Sequence, residues 1–126
     1  MGKDKTKVGF IGLGIMGQAF TKCLINSGFE VFGYDVLSHK VKEASKHGVI
    51  GTFSPRDTIN KSDIILTSVT TTNDLKSVIF GDEGIAKGEC DGKILIDFST
   101  TSVNQTKEMS KELEKIKSMR WIDAPV

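Results

Sequence analysis

The sequence contains little of what marks several common classes of protein. Its two cysteines and two histidines show neither a C-x-x-C pair nor the spacing of metal ligands, so we expect no metal site. No apolar run approaches the roughly 20 residues that a membrane-spanning helix requires. Basic and acidic residues nearly balance, leaving a formal net charge of +1, which gives no reason to expect a nucleic-acid or membrane partner.

The cysteines and the N-terminus also bear on the cellular compartment. Cys23 and Cys90 are far apart, the first on the apolar face of a predicted helix and the second in a loop rich in glycine and aspartate. We interpret both as free thiols, which favours the cytoplasm or another reducing compartment. The residues from Met1 to Lys7 are polar and lack an apolar stretch, so we expect no secretory signal.

What the sequence does contain is a regular alternation of apolar strands and amphipathic helices. The pattern predicts strands over residues 7–11, 29–34, 49–53, 63–69, 93–97 and 119–122. Between them it predicts helices over residues 16–24, 38–47, 55–61, 75–80 and 103–116. This order predicts right-handed crossovers and a doubly wound parallel sheet of six strands, the Rossmann type of α/β fold, as one dinucleotide-binding domain spanning residues 1–126.

Apolar stripes and capping residues support the predicted helices. In the first helix, residues of helical period predict the packed face: Met16, Ala19, Phe20, Cys23 and Leu24. The last helix carries a similar stripe: Val103, Thr106, Met109, Leu113 and Ile116. Ser38 and Ser54 stand where helices begin, and Gly28 stands where the first helix ends, so we expect them to be caps.

The first strand and the first helix are joined by Gly12-Leu13-Gly14-Ile15-Met16-Gly17, a G-x-G-x-x-G motif. In this position the motif predicts a dinucleotide-binding loop. We expect Gly12 to make the tight turn, Gly14 to let backbone approach a pyrophosphate, and Gly17 to let helix and strand pack closely. Free N–H groups at the start of the helix would face the phosphates. Met16 is either a core residue or a cofactor contact.

Asp35 ends the second predicted strand, about 20 residues beyond the loop, where an acid accepts hydrogen bonds from the adenosine ribose. Its charge would repel a 2′-phosphate, and no arginine follows it closely, Lys40 being the nearest cation. The sequence therefore favours NAD, with NADP as the open alternative. The plainer interpretation is an exposed aspartate at the end of a strand.

Two further strand ends carry small hydroxyl side chains, in the segments 69–72 and 97–100. Ligands of parallel α/β sheets lie beyond the carboxyl ends of the strands, so we expect these segments to approach the second ribose and the nicotinamide. Ser99 or Thr100 could instead cap the last helix, and capping is compatible with ligand contact.

The segment from Val8 to Gly17 resembles the opening of the 3-hydroxyisobutyrate dehydrogenase family, β-hydroxyacid dehydrogenases related to 6-phosphogluconate dehydrogenase. The resemblance continues through residues 34–36, 64–69, 81–85 and 96–100. It reaches Asp123-Ala124-Pro125-Val126, which is similar to the start of the family's D-A-P-V-S-G-G substrate motif. The resemblance therefore spans nearly the whole chain.

This resemblance implies an NAD(P)-dependent enzyme that oxidises a small 3-hydroxy acid or reduces the corresponding semialdehyde. By position, the residues implied to bind the cofactor are Gly12, Leu13, Gly14, Ile15, Met16, Gly17, Asp35, Val69, Thr70 and Thr100, with Asp74 a weaker candidate. The family's catalytic lysine belongs to a helical second domain that these residues do not include, and no lysine here stands in the matching motif. We therefore expect the 126-residue chain to bind cofactor without appreciable turnover.

Some features depart from the family or leave alternatives open. Thr70 stands where proline is common, and Phe98 stands where a small residue is frequent and would narrow the pocket. A rival interpretation is a non-catalytic nucleotide-binding or interaction module. We also expect apolar surface beside the last strand, where the second domain of the family packs, and self-association into a homo-oligomer through that surface.

Overall fold

A computed structural model describes residues 6–99 and 103–124 of the chain. The strands are β1 (Lys7–Ile11), β2 (Glu30–Tyr34), β3 (Ile50–Gly51), β4 (Ile64–Thr67), β5 (Ile94–Asp97) and β6 (Arg120–Asp123). The helices are α1 (Ile15–Asn26), α2 (Ser38–Ser45), α3 (Pro55–Asn60), α4 (Thr72–Phe80) and α5 (Val103–Ile116), with a 3-10 turn over Ile85–Lys87. The predicted alternation of strands and helices is confirmed.

The six strands form one parallel sheet in the order β3-β2-β1-β4-β5-β6. Ile11 at the end of β1 is in register with Tyr34 of β2 and Thr67 of β4, so the three strands end at the same edge. The chain winds outward from β1 in one direction and from β4 in the other. This is the predicted doubly wound Rossmann arrangement, and the change of direction leaves a crevice between β1 and β4.

Hydrophobic side chains fill both faces of the sheet. Phe10 and Ile11 are neighbours on β1 and belong to different core clusters, because successive residues of a strand point to opposite faces. The cluster with Phe10 includes side chains of α1 and α2, and the cluster with Ile11 includes side chains of α3, α4 and α5. Burial on both faces explains why the strands are nearly continuous apolar runs.

The packed face of α1 differs from the predicted one by about one residue. The packed residues are Gly17, Phe20, Thr21 and Leu24, while Met16, Ala19 and Cys23 are exposed. Gly17 lies against the backbone of Gly12, and this contact sets the rotation of the helix. Thr21 is buried without a polar penalty because its hydroxyl donates to the carbonyl oxygen of Gly17 at 2.8 Å.

Some boundaries also differ from the predicted ones. The strand predicted over 49–53 is reduced to Ile50–Gly51 at the edge of the sheet, and the strand predicted over 63–69 ends at Thr67. Helix α4 begins at Thr72 rather than Leu75, because the Thr71 hydroxyl accepts a hydrogen bond from the Asp74 N–H at 3.0 Å and caps the helix. Ser38 is the first residue of α2 and does not cap it.

Other local predictions are confirmed. The Ser54 hydroxyl accepts a hydrogen bond from the Asp57 N–H at 2.9 Å and caps α3. Gly28 follows α1 with a φ of +96°, a conformation that favours glycine. Thr106, Met109 and Leu113 form the buried stripe of α5. Among the described helices, none combines the length and the apolar character that crossing a bilayer requires.

Candidate cofactor-binding site

A cleft of about 280 Å³ lies at the carboxyl edge of the sheet, where β1, β2 and β4 end. It is lined by Ile11, Gly12, Gly14, Tyr34, Asp35, Val36, Leu37, Lys40, Ser68, Val69, Thr70, Asp74, Ser77 and Val78. The structure thus brings together parts of the glycine loop, Asp35 and the segment after β4, which lie more than twenty positions apart in the sequence. This is the position at which doubly wound sheets bind their ligands.

Two glycines of the loop are required by packing. Gly12 has a φ of +100°, and a Cβ atom built on it would lie 1.9 Å from the carbonyl oxygen of Ser68. A Cβ atom on Gly17 would lie 2.1 Å from the carbonyl oxygen of Gly12. The loop therefore lies directly between the end of β4 and the first turn of α1.

Gly14 is different, because nothing in the described chain requires a glycine there. Its φ is −73°, which any residue adopts, and a Cβ atom built on it has no atom within 4 Å. Gly14 nevertheless lines the cleft. The free space over its backbone is what a closely approaching ligand would use.

The N-terminus of α1 is also left open by the protein. Among the described residues no side chain caps it, and its first turn contains no acidic residue. Helix α2 is uncapped as well, whereas α3 and α4 are capped by Ser54 and Thr71, and each has an aspartate in its first turn. The free N–H groups and the positive dipole end of α1 are therefore available to an anion.

Asp35 holds the loop as well as lining the cleft. Its Oδ2 accepts a hydrogen bond from the Leu13 N–H at 2.7 Å, and its Oδ1 accepts one from the Leu37 N–H at 2.9 Å. Each carboxylate oxygen has a second lone pair, so these bonds leave capacity for hydroxyl donors. The motif spacing predicted Asp35 beside the glycine loop, but it could not predict the contact with Leu13.

The apolar residues of the motif have separate environments. Leu13 is fully buried in the core, so only its backbone belongs to the loop surface. Ile15 is 95% exposed, and Met16 is 40% exposed with its sulfur 3.7 Å from the Ser68 hydroxyl. Met16 is thus not a core residue, which removes one of the two interpretations of this side chain.

The segment after β4 also lines the cleft. Val69 is half-buried, Thr70 is exposed, and both line the cleft together with Asp74. The Val69 N–H donates to the Ser99 hydroxyl at 2.8 Å, which connects the ends of β4 and β5. This contact holds the backbone beside Thr70, where the family commonly has proline.

The Ser99 region is organised by a buried carboxylate. Asp97 is fully buried, and its Oδ1 accepts hydrogen bonds from the Thr67 hydroxyl and the Ser99 N–H, both at 2.9 Å. Its Oδ2 has no partner among the described residues. Partial desolvation and the nearby Asp97 carboxylate raise the pKa of Asp123, which pairs with Asp97 in the register of β5 and β6.

Two further predictions have different outcomes. Phe98 does not line this cleft, because its ring packs against Phe20 of α1 with 4.9 Å between the ring centroids. Thr100 lies outside the described residues. The lining residues that the sequence did not predict are Ile11, Tyr34, Val36, Leu37, Ser68, Ser77 and Val78. Those next to Asp35 and Val69 could have been found from adjacency, whereas Ser77 and Val78 depend on how α4 packs.

The cysteines and histidines lie outside the cleft. Cys23 is exposed and Cys90 is buried, both with free thiols, and burial raises the pKa of the Cys90 thiol. His47 contacts the Thr21 hydroxyl at 2.9 Å. In the part of the chain that the structure describes, no three His, Cys, Asp or Glu side chains are grouped as metal ligands.

The geometry agrees with the relatives of the sequence. The family model described as the NAD-binding domain of 6-phosphogluconate dehydrogenase matches residues 7–126. The chain belongs to this family. It is an NAD-binding Rossmann domain of the oxidoreductase group that includes the 3-hydroxyisobutyrate dehydrogenases.

Individual relatives support the same assignment. Mitochondrial 3-hydroxyisobutyrate dehydrogenase of Rattus norvegicus is 40% identical over 98% of this chain and 36% of its own length. The solved structure of a Mycobacterium tuberculosis 3-hydroxyisobutyrate dehydrogenase with L-serine is 28% identical, with a TM-score of 0.87, over 98% of this chain and 41% of its own. An imine reductase from Myxococcus stipitatus in complex with NADP+ shares the fold at 24% identity and a TM-score of 0.84. The match covers 93% of this chain and 39% of the imine reductase.

This chain therefore spans little more than a third of the curated relatives that it matches. The shared region is the nucleotide-binding part, and the fold is common to dehydrogenases and imine reductases. Several of the relatives are named as mitochondrial proteins, so the compartment expected from the cysteines is not settled by them.

Proposed function

We propose that this domain binds NAD in the cleft, with the pyrophosphate against Gly12, Gly14 and the N-terminus of α1. The observation that carries this proposal is Gly14, whose free space is explained by neither backbone conformation nor packing within the described chain. The uncapped first turn of α1 supplies N–H donors and a positive dipole end at the same point. Ile15 and Met16 would contribute their backbone N–H groups.

The remaining site residues would bind the rest of the cofactor. Asp35 accepts hydrogen bonds from the adenosine ribose, and Val69, Thr70 and Thr100 line the second ribose and the nicotinamide. Val69 and Thr70 support this assignment because they line the same cleft as Gly14. The bound nicotinamide supplies the hydride acceptor, and this domain's residues hold and orient it.

We further propose that NAD is preferred over NADP. Asp35 lines the cleft with both carboxylate oxygens held by backbone N–H groups, so its negative charge cannot easily turn away from a 2′-phosphate. Lys40 also lines the cleft and is the feature that favours NADP. The imine reductase with NADP+ has the same fold, so the fold alone does not decide between the two cofactors.

The whole protein would be a dehydrogenase acting on a small 3-hydroxy acid or its semialdehyde, as the names of the relatives suggest. Within these 126 residues no lysine stands in the motif of the family's catalytic lysine. We therefore propose that the chain alone binds cofactor without turnover. Purified chain that oxidises a 3-hydroxy acid at a rate typical of enzymes would contradict this. A reading frame that continues through the rest of the substrate motif to a later G-x-x-x-K-x-x-x-N would favour the enzyme over the rival, a non-catalytic nucleotide-binding or interaction module.

Titration of the chain with NAD and NADP tests the binding proposal, with Gly14→Ala as the decisive variant. The added Cβ meets no atom of the described chain, so the folded structure and Tm should remain unchanged. It occupies the space needed by the pyrophosphate, and we expect NAD affinity to fall by about ten-fold or more. Unchanged NAD affinity in Gly14→Ala, or no NAD binding by the wild-type chain, would overturn the proposal.

Asp35→Asn tests the cofactor preference. The asparagine oxygen can accept only one of the two backbone N–H groups that Asp35 holds, and the charge is removed, so we expect NAD affinity to fall by about ten-fold. Since only the charge discriminates against a 2′-phosphate, the ratio of NAD affinity to NADP affinity should also decrease. Tighter binding of NADP than NAD by the unmutated chain would refute the preference.

Self-association is the remaining proposal on partners. Ile122 of β6 is 44% exposed on an edge strand of the sheet, which supports a homo-oligomer formed through this surface. Sedimentation of the chain over a range of concentrations tests it, and a monomer at all concentrations would contradict it.

A further inference from the structure

Leu13 is held at both of its peptide groups by side chains from different elements. Its N–H donates to Asp35 Oδ2 at 2.7 Å, and its carbonyl oxygen accepts from Gln18 Nε2 at 2.9 Å. Its own side chain is fully buried in the core. The residue immediately before Gly14 is thus restrained in position and in orientation.

Gln18 connects this loop to a second helix. Its Nε2 also donates to the carbonyl oxygen of Lys40 in α2 at 2.8 Å, so both amide hydrogens are used. Both partners are carbonyl oxygens, which identifies the group facing them as the NH₂. The Oε1 of Gln18 is buried without a hydrogen-bond partner in the described chain. A buried unpaired oxygen destabilises the fold, so stability alone is a poor explanation for this arrangement.

The restraint on Leu13 determines the orientation of the next N–H group. The described peptide bonds are trans, and in a trans peptide the carbonyl and the following N–H point in opposite directions. With the Leu13 carbonyl directed toward Gln18, the Gly14 N–H points away from Gln18. Gly14 itself lines the cleft.

We propose that Gln18 is a positioning residue for the phosphate-binding loop, which fixes the Leu13–Gly14 peptide so that the Gly14 N–H is presented to a bound pyrophosphate. Asp35 restrains the same residue from its other side. This inference rests on the proposed function, because it assumes that a dinucleotide occupies the cleft. Gln18 itself contacts no part of the cofactor in this role.

The test compares Gln18→Met with the wild-type chain, because methionine has a similar length and no donor. We expect the affinity for NAD to fall by about ten-fold, as the loop loses its preferred orientation. The affinity for adenosine, which carries no phosphate, should remain within about two-fold. If Gln18 merely joined α1 to α2, Gln18→Met would change the affinities for NAD and adenosine equally, or change neither of them. Either result would overturn the proposal.

Asn60→Ala is the matched control. The Asn60 side chain is also hydrogen-bonded to backbone, because its Oδ1 accepts from the Glu89 N–H at 2.7 Å. It lies at the end of the strands opposite the cleft. We expect it to lower Tm without changing the ratio of NAD to adenosine affinity. A change in that ratio equal to that of Gln18→Met would contradict the assignment to the loop.

A second measurement does not depend on cofactor. Amide hydrogen exchange of the ligand-free chain, followed by NMR, should show a protected Leu13 N–H and an exchanging Gly14 N–H. In Gln18→Met the chemical shifts of the Leu13 carbonyl carbon and the Gly14 amide should change, because the Leu13 carbonyl loses its hydrogen bond, while the protection of core strands such as β4 remains. A wild-type chain that fails to bind NAD overturns the proposed function, and unchanged chemical shifts of the Leu13–Gly14 peptide in Gln18→Met overturn the positioning role.

Discussion

Gly17 lies so close to Gly12 that a Cβ atom on Gly17 would be 2.1 Å from the Gly12 carbonyl oxygen. The contacted atom is backbone and cannot move like the end of a flexible side chain. We predict that Gly17→Ala lowers the free energy of unfolding by about 1–3 kcal/mol, the range for an overpacked interior site. Thermal or urea unfolding measures this change.

Gly14→Ala is the control for this prediction, because it adds the same methyl group three residues earlier, in open space. Its Tm should match that of the wild-type chain. Equal stability of Gly17→Ala and wild type would show that α1 can move away from Gly12 without cost.

Ser99→Ala removes the acceptor of the Val69 N–H, a partly buried hydrogen bond of 2.8 Å between the ends of β4 and β5. An unsatisfied donor is costly, so we predict a loss of stability of about 1–3 kcal/mol. Because Val69 lines the cleft, NAD affinity should also decrease.

Ser118→Ala is the matched serine control. The Ser118 hydroxyl makes an exposed contact of 3.4 Å with Asp91, so its removal should change stability by less than about 0.5 kcal/mol. A similar loss of stability in both variants would mean that the hydrogen bond between Ser99 and Val69 stabilises the fold no more than an exposed serine contact does.

Asp123→Asn should stabilise the chain at neutral pH. Desolvation and the Asp97 carboxylate raise the pKa of Asp123 above its ordinary value of 3.8 in the folded state. A raised acid pKa means that the ionised side chain costs stability above the folded pKa, and that this cost disappears as the pH falls below 3.8.

The measurement is Tm against pH for both chains. Asp123→Asn should have the higher Tm at pH 7, with the difference shrinking toward zero on acidification. A difference that is absent at pH 7, or that grows as the pH falls, contradicts the raised pKa of Asp123 that desolvation and the Asp97 carboxylate produce.

The cysteines should differ in reactivity. Cys23 is exposed, whereas Cys90 is fully buried and its thiol pKa is raised by burial, so little thiolate is present. We predict that iodoacetamide modifies one thiol of the native chain and both thiols in denaturant. In Cys23→Ser the native chain should remain unmodified, and rapid labelling there would show that the core around Cys90 opens.

Much of the fold could be predicted because its signals are local. Apolar runs of strand length, helical stripes and the capping residue Ser54 depend on neighbours in sequence, and the order of elements then leaves few topologies. The glycine loop and Asp35 could be placed in one site for the same reason. Parallel strands bring their carboxyl ends to one edge whatever their separation along the chain.

The sequence by itself thus determined the α/β order, and it predicted the edge of the sheet and the residues at which we propose that the cofactor binds. Only the tertiary structure decided the rotation of α1, which depends on contact between Gly17 and Gly12 rather than on the apolar stripe. It also decided that Asp35 and Gln18 hold Leu13 from two sides. Such contacts join residues from separate elements at distances of a few ångströms, and periodicity within one segment carries no information about them.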